Sequence, residues 1–315
     1  MNQLSKTAYQ QLEAKFHTEN AINQASAILH WDAATMMPSG SSAGRGEQLA
    51  VLAVLAHETI TDTAVSDLLD AAEEDRAGLD TWQSANLNEM RRQWLHATAV
   101  APELVSDMVK ASNDCEILWR QARVNNDFKA VQDQLQHVLN LTIESGQAKA
   151  EAFNKSLYDA LLDQYEPDGS VATIETLFND LQSWLPKLIG DVIEQQSAQP
   201  TLSPLTGDFS VENQKHLGQM LMKQVGFDFD RGRLDVSAHP FCGGVPDDVR
   251  VTTRYSEDDF TSALMGVLHE TGHAMYEAGL PADWRCHPVG SSRGMSIHES
   301  QSLLVEMQVC RGKDF

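Results

Sequence analysis

Apolar residues recur at helical spacing along most of the N-terminal two thirds of the chain. Near the start, the positions that share one helical face are Leu4, Ala8, Leu12, Phe16, Ile22, Ala25 and Leu29. Side chains three to four residues apart lie on the same face of an α-helix. A second periodic run begins near position 45, and further helices are predicted over roughly 64–74, 80–96, 102–123, 128–162 and 171–197. The pattern therefore predicts a mainly α-helical protein.

Between about 227 and 254 the pattern changes to short runs of β type. The segments "RLDVS" and "VRVTTR" lie on either side of the Gly- and Pro-rich "AHPFCGGVPDD", which is typical of a small sheet or a hairpin. The following "SEDDF" predicts the start of a helix, with Ser256 as N-cap and Asp259 at the capping-box position. We therefore expect a small β element near 227–254 inside a helical protein.

Two breaks interrupt the helical pattern. "YEPDGS" at 165–170 is a turn signal, and "SAQPTLSPLTGDFS" at 197–210 is the longest break rich in Pro, Ser and Gly. The longer break divides the chain into an N-terminal helical region, residues 1–200, and a second region, residues 201–315. The second region contains the motif that carries the chemistry.

The motif "HETGH", residues 269–273, lies in the helix that "SEDDF" opens. Residues i and i+4 of a helix differ by about 40° around the axis and about 6 Å along it, so His269 and His273 can bind one ion from one face. Glu270 projects toward a water that such an ion binds. Zinc lowers the pKa of that water to about 7, and a carboxylate can take the proton as the water attacks a carbonyl. The motif predicts a metal site for peptide hydrolysis with Glu270 as its catalytic residue.

A tetrahedral catalytic site needs a third protein ligand besides two histidines and a water. The sequence continues as "HETGHAMYEAGLP", which lacks the last histidine of the HExxHxxGxxH class. A glutamate on a following helix is the other solution, and "SIHESQSLLVEMQ" supplies Glu299. Glu306 and Glu277 are alternatives, and Glu277 is better placed behind the ligands than among them. His298 can also ligate, but adjacent helix positions point about 100° apart, so His298 and Glu299 do not easily both bind. We take Glu299 as the third ligand.

Composition limits the partners and the compartment. A net charge of −22 argues against binding to nucleic acid, which needs a basic face. No run of 18 apolar residues occurs, so we expect no membrane span, and the start "MNQLSKTAYQQLEAKF" lacks the apolar core of a signal peptide. The four cysteines lie far apart without a CxxC pair, which favours free thiols and the cytoplasm.

Four short motifs follow one another in the second region: "HPF" at 239–241, "DVRVT" at 248–252, the HExxH pattern at 269–273 and "HESQ" at 298–301. In this order, and with DxRxT as the second pattern, they resemble the carboxypeptidase Taq family, the M32 metallocarboxypeptidases. The early segment "ILHWDAATMMPSGSSAGRGEQLAVL" is also similar to the Trp-Asp and Met-Pro segment of that family. The resemblance covers about residues 28–315.

The resemblance implies an enzyme that removes single residues from peptide C-termini, with peptides that have a free C-terminus as substrates. It implies one divalent metal ion, with zinc expected and cobalt as the alternative. It also implies a helical gluzincin fold with a deep groove between two helical halves, and a homodimer. Carried over by position, His269, His273 and Glu299 are the metal ligands, and Glu270 is the general base and acid.

Two further residues, His239 and Arg250, fall in motifs that line the groove of the family, and we expect both to contact substrate. Arg250 can hold a substrate carboxylate through two guanidinium nitrogens. The alternative for Arg250 is a structural ion pair with Asp247 or Asp248.

Members of this family continue with a later GxxQDxHW motif, whereas this sequence ends at "CRGKDF". We therefore expect the C-terminal part of the family fold to be absent, together with groove residues that bind the C-terminus of a substrate. Two alternatives to a carboxypeptidase follow. One is a metallo-endopeptidase or oligopeptidase of the same metal class. The other is a catalytically impaired helical fragment that acts only as a metal-binding or interaction module.

Overall fold

The computed structural model describes residues 6–201, 203 and 205–315, and α-helix dominates these residues. The helices are α1 (Ala8–Thr35), α2 (Ser42–Thr61), α3 (Thr63–Glu74), α4 (Thr81–Thr98), α5 (Pro102–Asn125), α6 (Phe128–Phe153), α7 (Leu157–Leu162), α8 (Val171–Ser197), α9 (Val211–Gln224), α10 (Phe260–Ala278) and α11 (Met295–Leu303). The strands are β1 (Gly232–Val236), β2 (Cys242–Val245) and β3 (Asp248–Thr253). A π-helical turn, Leu304–Val309, continues α11. The predicted fold class, mainly α with a small β element, is confirmed.

Helices α1, α3 and α4 pack around a hydrophobic core in the N-terminal region. Its fully buried side chains include Leu12 and Phe16 from α1, Leu69 from α3 and Leu87 from α4. Leu12 and Phe16 belong to the predicted face of the first helix, whereas Leu4 of that face lies outside the described residues. The apolar periodicity therefore predicts the buried positions correctly in the N-terminal part of α1, whereas Ala25 on the same predicted face is exposed.

A buried asparagine connects this core to the loop between α10 and α11. The amide nitrogen of Asn86 donates to the hydroxyl of Tyr9 at 3.0 Å, and its carbonyl oxygen accepts from the backbone of Val289 at 3.1 Å. Nearby, Trp82 of α4 stacks on Trp284 of the loop with ring centroids 5.6 Å apart. Because a buried amide left without partners is costly, these contacts hold the loop against α4.

The three strands form one sheet in the order β1-β3-β2. β1 and β3 run parallel, and β2 forms an antiparallel hairpin with β3 in which Val245 lies opposite Asp248. The predicted β element is confirmed, and β2 adds a strand inside the Gly- and Pro-rich segment. Gly244 has φ +84°, and a Cβ at this position would collide with the Asp248 carbonyl oxygen, so the hairpin requires glycine there.

The sheet packs against α9 and α10 to form a second core. Met222 of α9, Val249 and Val251 of β3, and Val267 and Ala274 of α10 are each at most 2% exposed. Burial of such side chains contributes about 1.5–3 kcal/mol each for the larger ones. This core fixes the helix that carries "HETGH" against the sheet.

Two predicted helix boundaries are wrong. Asp259, not Ser256, is the N-cap of α10, because its carboxylate accepts from the Thr261 backbone at 2.9 Å and so caps the helix one turn later. The predicted helix 128–162 is two helices, since Asn154 adopts a left-handed φ of 52° that ends α6, and Ser156 then caps α7.

Helix α8 differs from its neighbours because none of its side chains is buried. Its exposed large apolar residues are Leu177, Phe178, Leu181, Trp184, Leu188, Ile189, Val192 and Ile193.

Among the described residues, no single helix has both the length and the apolar composition of a membrane span. The helices Ser39–Thr61 and Thr63–Glu74, bent by 45°, reach both as a pair. The division of the chain near residue 200 stays a prediction.

Candidate metal centre

Two elements hold the candidate metal centre, α10 and α11, which pack against each other. Val267 and Ala274 lie on one face of α10 and pack into the second core, with each 1% exposed. The opposite face presents His269 and His273 toward α11. The helical spacing of four residues therefore places both histidines on one face of α10, as the sequence predicts.

Glu299 of α11 lies between the two histidines. Its carboxylate oxygens are 3.6 Å from Nε2 of His269 and 3.4 Å from Nε2 of His273. Ligand atoms of all three residues lie within 4.8 Å of one another. Two atoms each about 2.0–2.1 Å from a tetrahedral zinc ion lie about 3.3–3.4 Å apart, so these three residues fit such an ion. Burial, together with the charges of neighbouring histidines, lowers the pKa of His273 and favours the neutral form that ligates.

A glycine inside the motif lets α11 approach. A Cβ on Gly272 would lie 2.5 Å from the Cα of Ser302 and 2.6 Å from the carbonyl oxygen of Gln301. Real Cβ atoms do not come so close to backbone, so the two helices can meet at this distance only because position 272 lacks a side chain. The close approach of α11 at Gly272 is not predicted from the motif, although the glycine in "HETGH" indicates it.

Glu306 supports His269 from behind. Its carboxylate lies 2.9 Å from Nδ1 of His269 and accepts from Arg311 at 2.8 Å. A carboxylate can only accept, so Nδ1 of His269 carries the proton and Nε2 keeps its lone pair for the site. Burial raises the pKa of Glu306, but the hydrogen bonds from His269 and Arg311 outweigh it and hold the pKa below its usual value. Sequence reasoning weighed Glu306 only as a ligand.

A second chain of hydrogen bonds supports His273. Its Nδ1 lies 2.7 Å from Nδ1 of His298, whose Nε2 lies 2.8 Å from the carboxylate of Glu277. Ser292 donates to the same carboxylate at 2.9 Å. Because Glu277 accepts from Nε2 of His298, Nδ1 of His298 accepts from His273, and Nε2 of His273 is left free to ligate. Glu277 and His298 therefore lie behind the ligands, where the sequence placed Glu277.

Glu270 is the buried charged residue of the motif, with 8% exposure. Burial raises its pKa, although the nearby His269 and the backbone N–H of Cys242 on β2 both act in the opposite direction. A carboxylate with a raised pKa is a stronger base near neutral pH. The position of Glu270 between β2 and the two histidines suits proton transfer next to the metal ligands.

The two predicted substrate contacts, Arg250 and His239, have the following neighbours. The guanidinium of Arg250 makes two hydrogen bonds to Asp248, at 3.0 and 2.6 Å, and lies 4.2 Å from the centroid of the Trp31 ring. His239 lines a cavity of about 390 Å³ together with Trp119. The structural ion pair weighed for Arg250 is thus present, and contact of either residue with substrate stays a prediction.

The model of the family described as Carboxypeptidase Taq (M32) metallopeptidase matches residues 11–315 of the chain. The chain belongs to this family. The resemblance read from the motifs is confirmed, and a divalent metal ion is what a metallopeptidase family implies. The residues that form the candidate centre lie within the matched part of the chain.

Relatives agree with this membership. Thermostable carboxypeptidase 1 of Thermus thermophilus is 35% identical over 98% of this chain. Among solved structures, metallocarboxypeptidase 1 of Trypanosoma cruzi has a TM-score of 0.87 and 38% identity over 97% of the chain. The M32 carboxypeptidase of Deinococcus radiodurans has a TM-score of 0.83 and 31% identity over 98% of the chain. The chain spans 62% of the length of the T. thermophilus relative and 61% of each of the two structures.

Proposed function

We propose that this chain holds the metal centre of a metal-dependent carboxypeptidase that releases single residues from peptide C-termini. The observation that supports it most is the convergence of His269, His273 and Glu299 beside the buried Glu270. Membership of a family described as carboxypeptidases supports the choice of reaction.

His269, His273 and Glu299 would hold one divalent ion, which we propose to be zinc, with cobalt as the alternative. When bound, such an ion supplies Lewis acidity, which lowers the pKa of a water to about 7 and polarises a carbonyl. The two imidazoles can each bind the ion through Nε2, because their Nδ1 atoms are hydrogen-bonded to Glu306 and His298. Partners of this kind orient ligands and raise their basicity.

Glu270 is proposed as the general base and then the general acid. Its carboxylate takes a proton from the water that attacks the scissile carbonyl and delivers that proton to the nitrogen of the leaving amino acid. The raised pKa of Glu270 supports both steps, because the acid form must be reachable after the first transfer.

His239 and Arg250 remain proposed contacts with substrate. Asp248 accepts from Nε and Nη2 of Arg250, so a substrate carboxylate that binds these same two nitrogens must replace Asp248. The side chain of Asp248 is 41% exposed, so its ion pair with Arg250 contributes little free energy and a substrate carboxylate can replace it.

A homodimer and a cytoplasmic location complete the proposal. All four cysteines are free, which supports a reducing compartment. The homodimer rests on the family resemblance. Peptides with a free C-terminus are the proposed partners, and nucleic acid and membranes are not.

The proposal is tested with a free-acid peptide and its C-terminally amidated twin, each incubated with the 315-residue chain and Zn²⁺ or Co²⁺. We expect stepwise release of C-terminal residues from the free acid at a very low rate, because groove residues that bind the C-terminus of a substrate are expected to be absent, and we expect no release from the amide. Internal cleavage of both peptides would indicate the endopeptidase or oligopeptidase alternative. A chain that binds metal and cleaves neither peptide would be the catalytically impaired, metal-binding fragment.

A further inference from the structure

The short helix that carries Glu299 is capped from a distant part of the chain. Helix α11 is only nine residues long, and its N-cap is Gly294, which has no side chain to satisfy the first amides. The backbone N–H of Met295 instead donates to the carbonyl of Tyr165 at 2.7 Å. The N–H and the hydroxyl of Ser296 both donate to one carboxylate oxygen of Glu166, at 3.0 and 2.7 Å.

This contact joins segments 130 residues apart. Glu166 lies in the turn between α7 and α8, within the N-terminal helical region. A negative charge is stabilising at the N-terminus of a helix, where unpaired amides and the helix dipole are both positive. The two hydrogen bonds from Ser296 lower the pKa of Glu166, so the carboxylate is charged at neutral pH. A helix as short as α11 has little stability of its own and depends on such contacts.

The residues next to the N-terminus of α11 leave room for the carboxylate of Glu166. A Cβ on Gly294 would lie 2.9 Å from Oε1 of Glu166, so the space beside the glycine is already filled. The neighbouring Arg293 donates to Glu89 of α4 at 2.8 Å and to Asp168 at 2.9 Å. Asp168 adopts a left-handed φ of 65° in the same turn as Glu166. Arg293 thus connects α4 and this turn to the residue that precedes the glycine N-cap of α11, beside the hydrogen bonds of Glu166.

Ser296 and Glu299 are one helical turn apart, so the cap acts on the turn that presents the third ligand. On its other side, α11 is held against α10 at Gly272. We propose that Glu166 is a positioning residue for the metal centre, which fixes Glu299 between His269 and His273 by capping α11. This proposal rests on the metal centre proposed above, and Glu166 itself touches neither metal nor substrate.

The test compares Glu166→Ala with Asp127→Ala in the full 315-residue chain. Asp127 is a matched control because it caps α6 through the backbone of Ala130 at 3.1 Å, and α6 carries no proposed ligand. We expect Glu166→Ala to weaken Zn²⁺ or Co²⁺ binding by up to roughly tenfold, the scale expected for loss of a helix N-cap. Asp127→Ala should leave metal affinity unchanged, and Glu166→Gln, which keeps an acceptor oxygen, should recover part of the loss.

Hydrogen exchange of the metal-free proteins provides a second readout. Glu166→Ala should accelerate exchange along Met295–Leu303 and not along α6, whereas Asp127→Ala should do the reverse. Unchanged exchange in α11, or metal affinity equal to that of the unaltered chain, would overturn the positioning role. Failure of the unaltered chain to bind metal would contradict the proposed function instead, and the exchange measurement would still decide whether Glu166 caps α11.

Discussion

At the scale of single residues, the centre is built in two layers. His269, His273 and Glu299 point their ligand atoms at one another, and Glu306 and His298 hold the far sides of the two imidazoles. The outer layer fixes the tautomer of each histidine, which a ligand set alone does not do.

The role of Glu270 is tested by Glu270→Gln, which keeps the size of the side chain and removes its ability to take a proton. We expect metal content to stay the same and the rate of release from a free-acid peptide to fall about a hundredfold or more. Glu194→Gln, on the exposed surface of α8, is the control and should be neutral. Comparable turnover by the Glu270→Gln protein would mean that another group is the base.

The role of Glu306 is tested by Glu306→Gln. A neutral amide accepts a weaker hydrogen bond from His269 than a carboxylate does, so the imidazole becomes a poorer ligand. We expect metal affinity to fall about tenfold while the helix content, measured by circular dichroism, stays constant. Unchanged affinity would show that the contact between Glu306 and His269 does not support the ligand.

At the scale of elements, the separation of α10 and α11 sets the position of Glu299. Gly272→Ala would place a Cβ 2.5 Å from the Cα of Ser302, and backbone cannot move aside as a flexible side chain does. We expect α11 to shift, metal affinity to fall and the melting temperature to drop.

Gly266→Ala is the matched control on the same helix, because its Cβ would meet nothing closer than 4.0 Å. We expect this variant to keep its metal affinity and to gain up to about 1 kcal/mol of stability, since alanine restricts the unfolded chain. Equal metal affinity in Gly272→Ala and Gly266→Ala would contradict the close-contact account.

The sequence alone predicts the part of the centre that follows from local spacing. His269 and His273 are four residues apart on one helix, and periodicity also predicts the buried positions of Leu12 and Phe16 in α1. The supporting contacts have no such pattern, because Glu306 lies 37 residues from His269 and Glu166 lies 130 residues from Ser296. Only the three-dimensional packing of separate helices brings these side chains together. The predicted N-cap of α10 is wrong for a local reason. Ser256 and Asp259 lie three residues apart, and either side chain can cap a helix.

At the scale of the whole molecule, α8 leaves a continuous apolar face exposed. Leu181 is 37% and Ile189 49% exposed, and both lie on this face. Exposed apolar patches of this kind promote association. We expect the 315-residue chain to self-associate with increasing concentration in sedimentation velocity experiments.

Leu181→Glu combined with Ile189→Glu should reduce this association, because a charge buried in an apolar contact is costly. Gln182→Glu is the control, since it adds a charge to the same helix without removing an apolar side chain. Association that is the same in both variants would show that the α8 face does not cause it.

The most direct test of the central claim is the metal content and affinity of the purified chain. We expect about one zinc ion per chain, lost in His269→Ala and in Glu299→Ala, and retained in His137→Ala, whose histidine is exposed on α6. The same metal content in His269→Ala as in the unaltered chain would contradict the assignment of His269, His273 and Glu299 as the metal ligands.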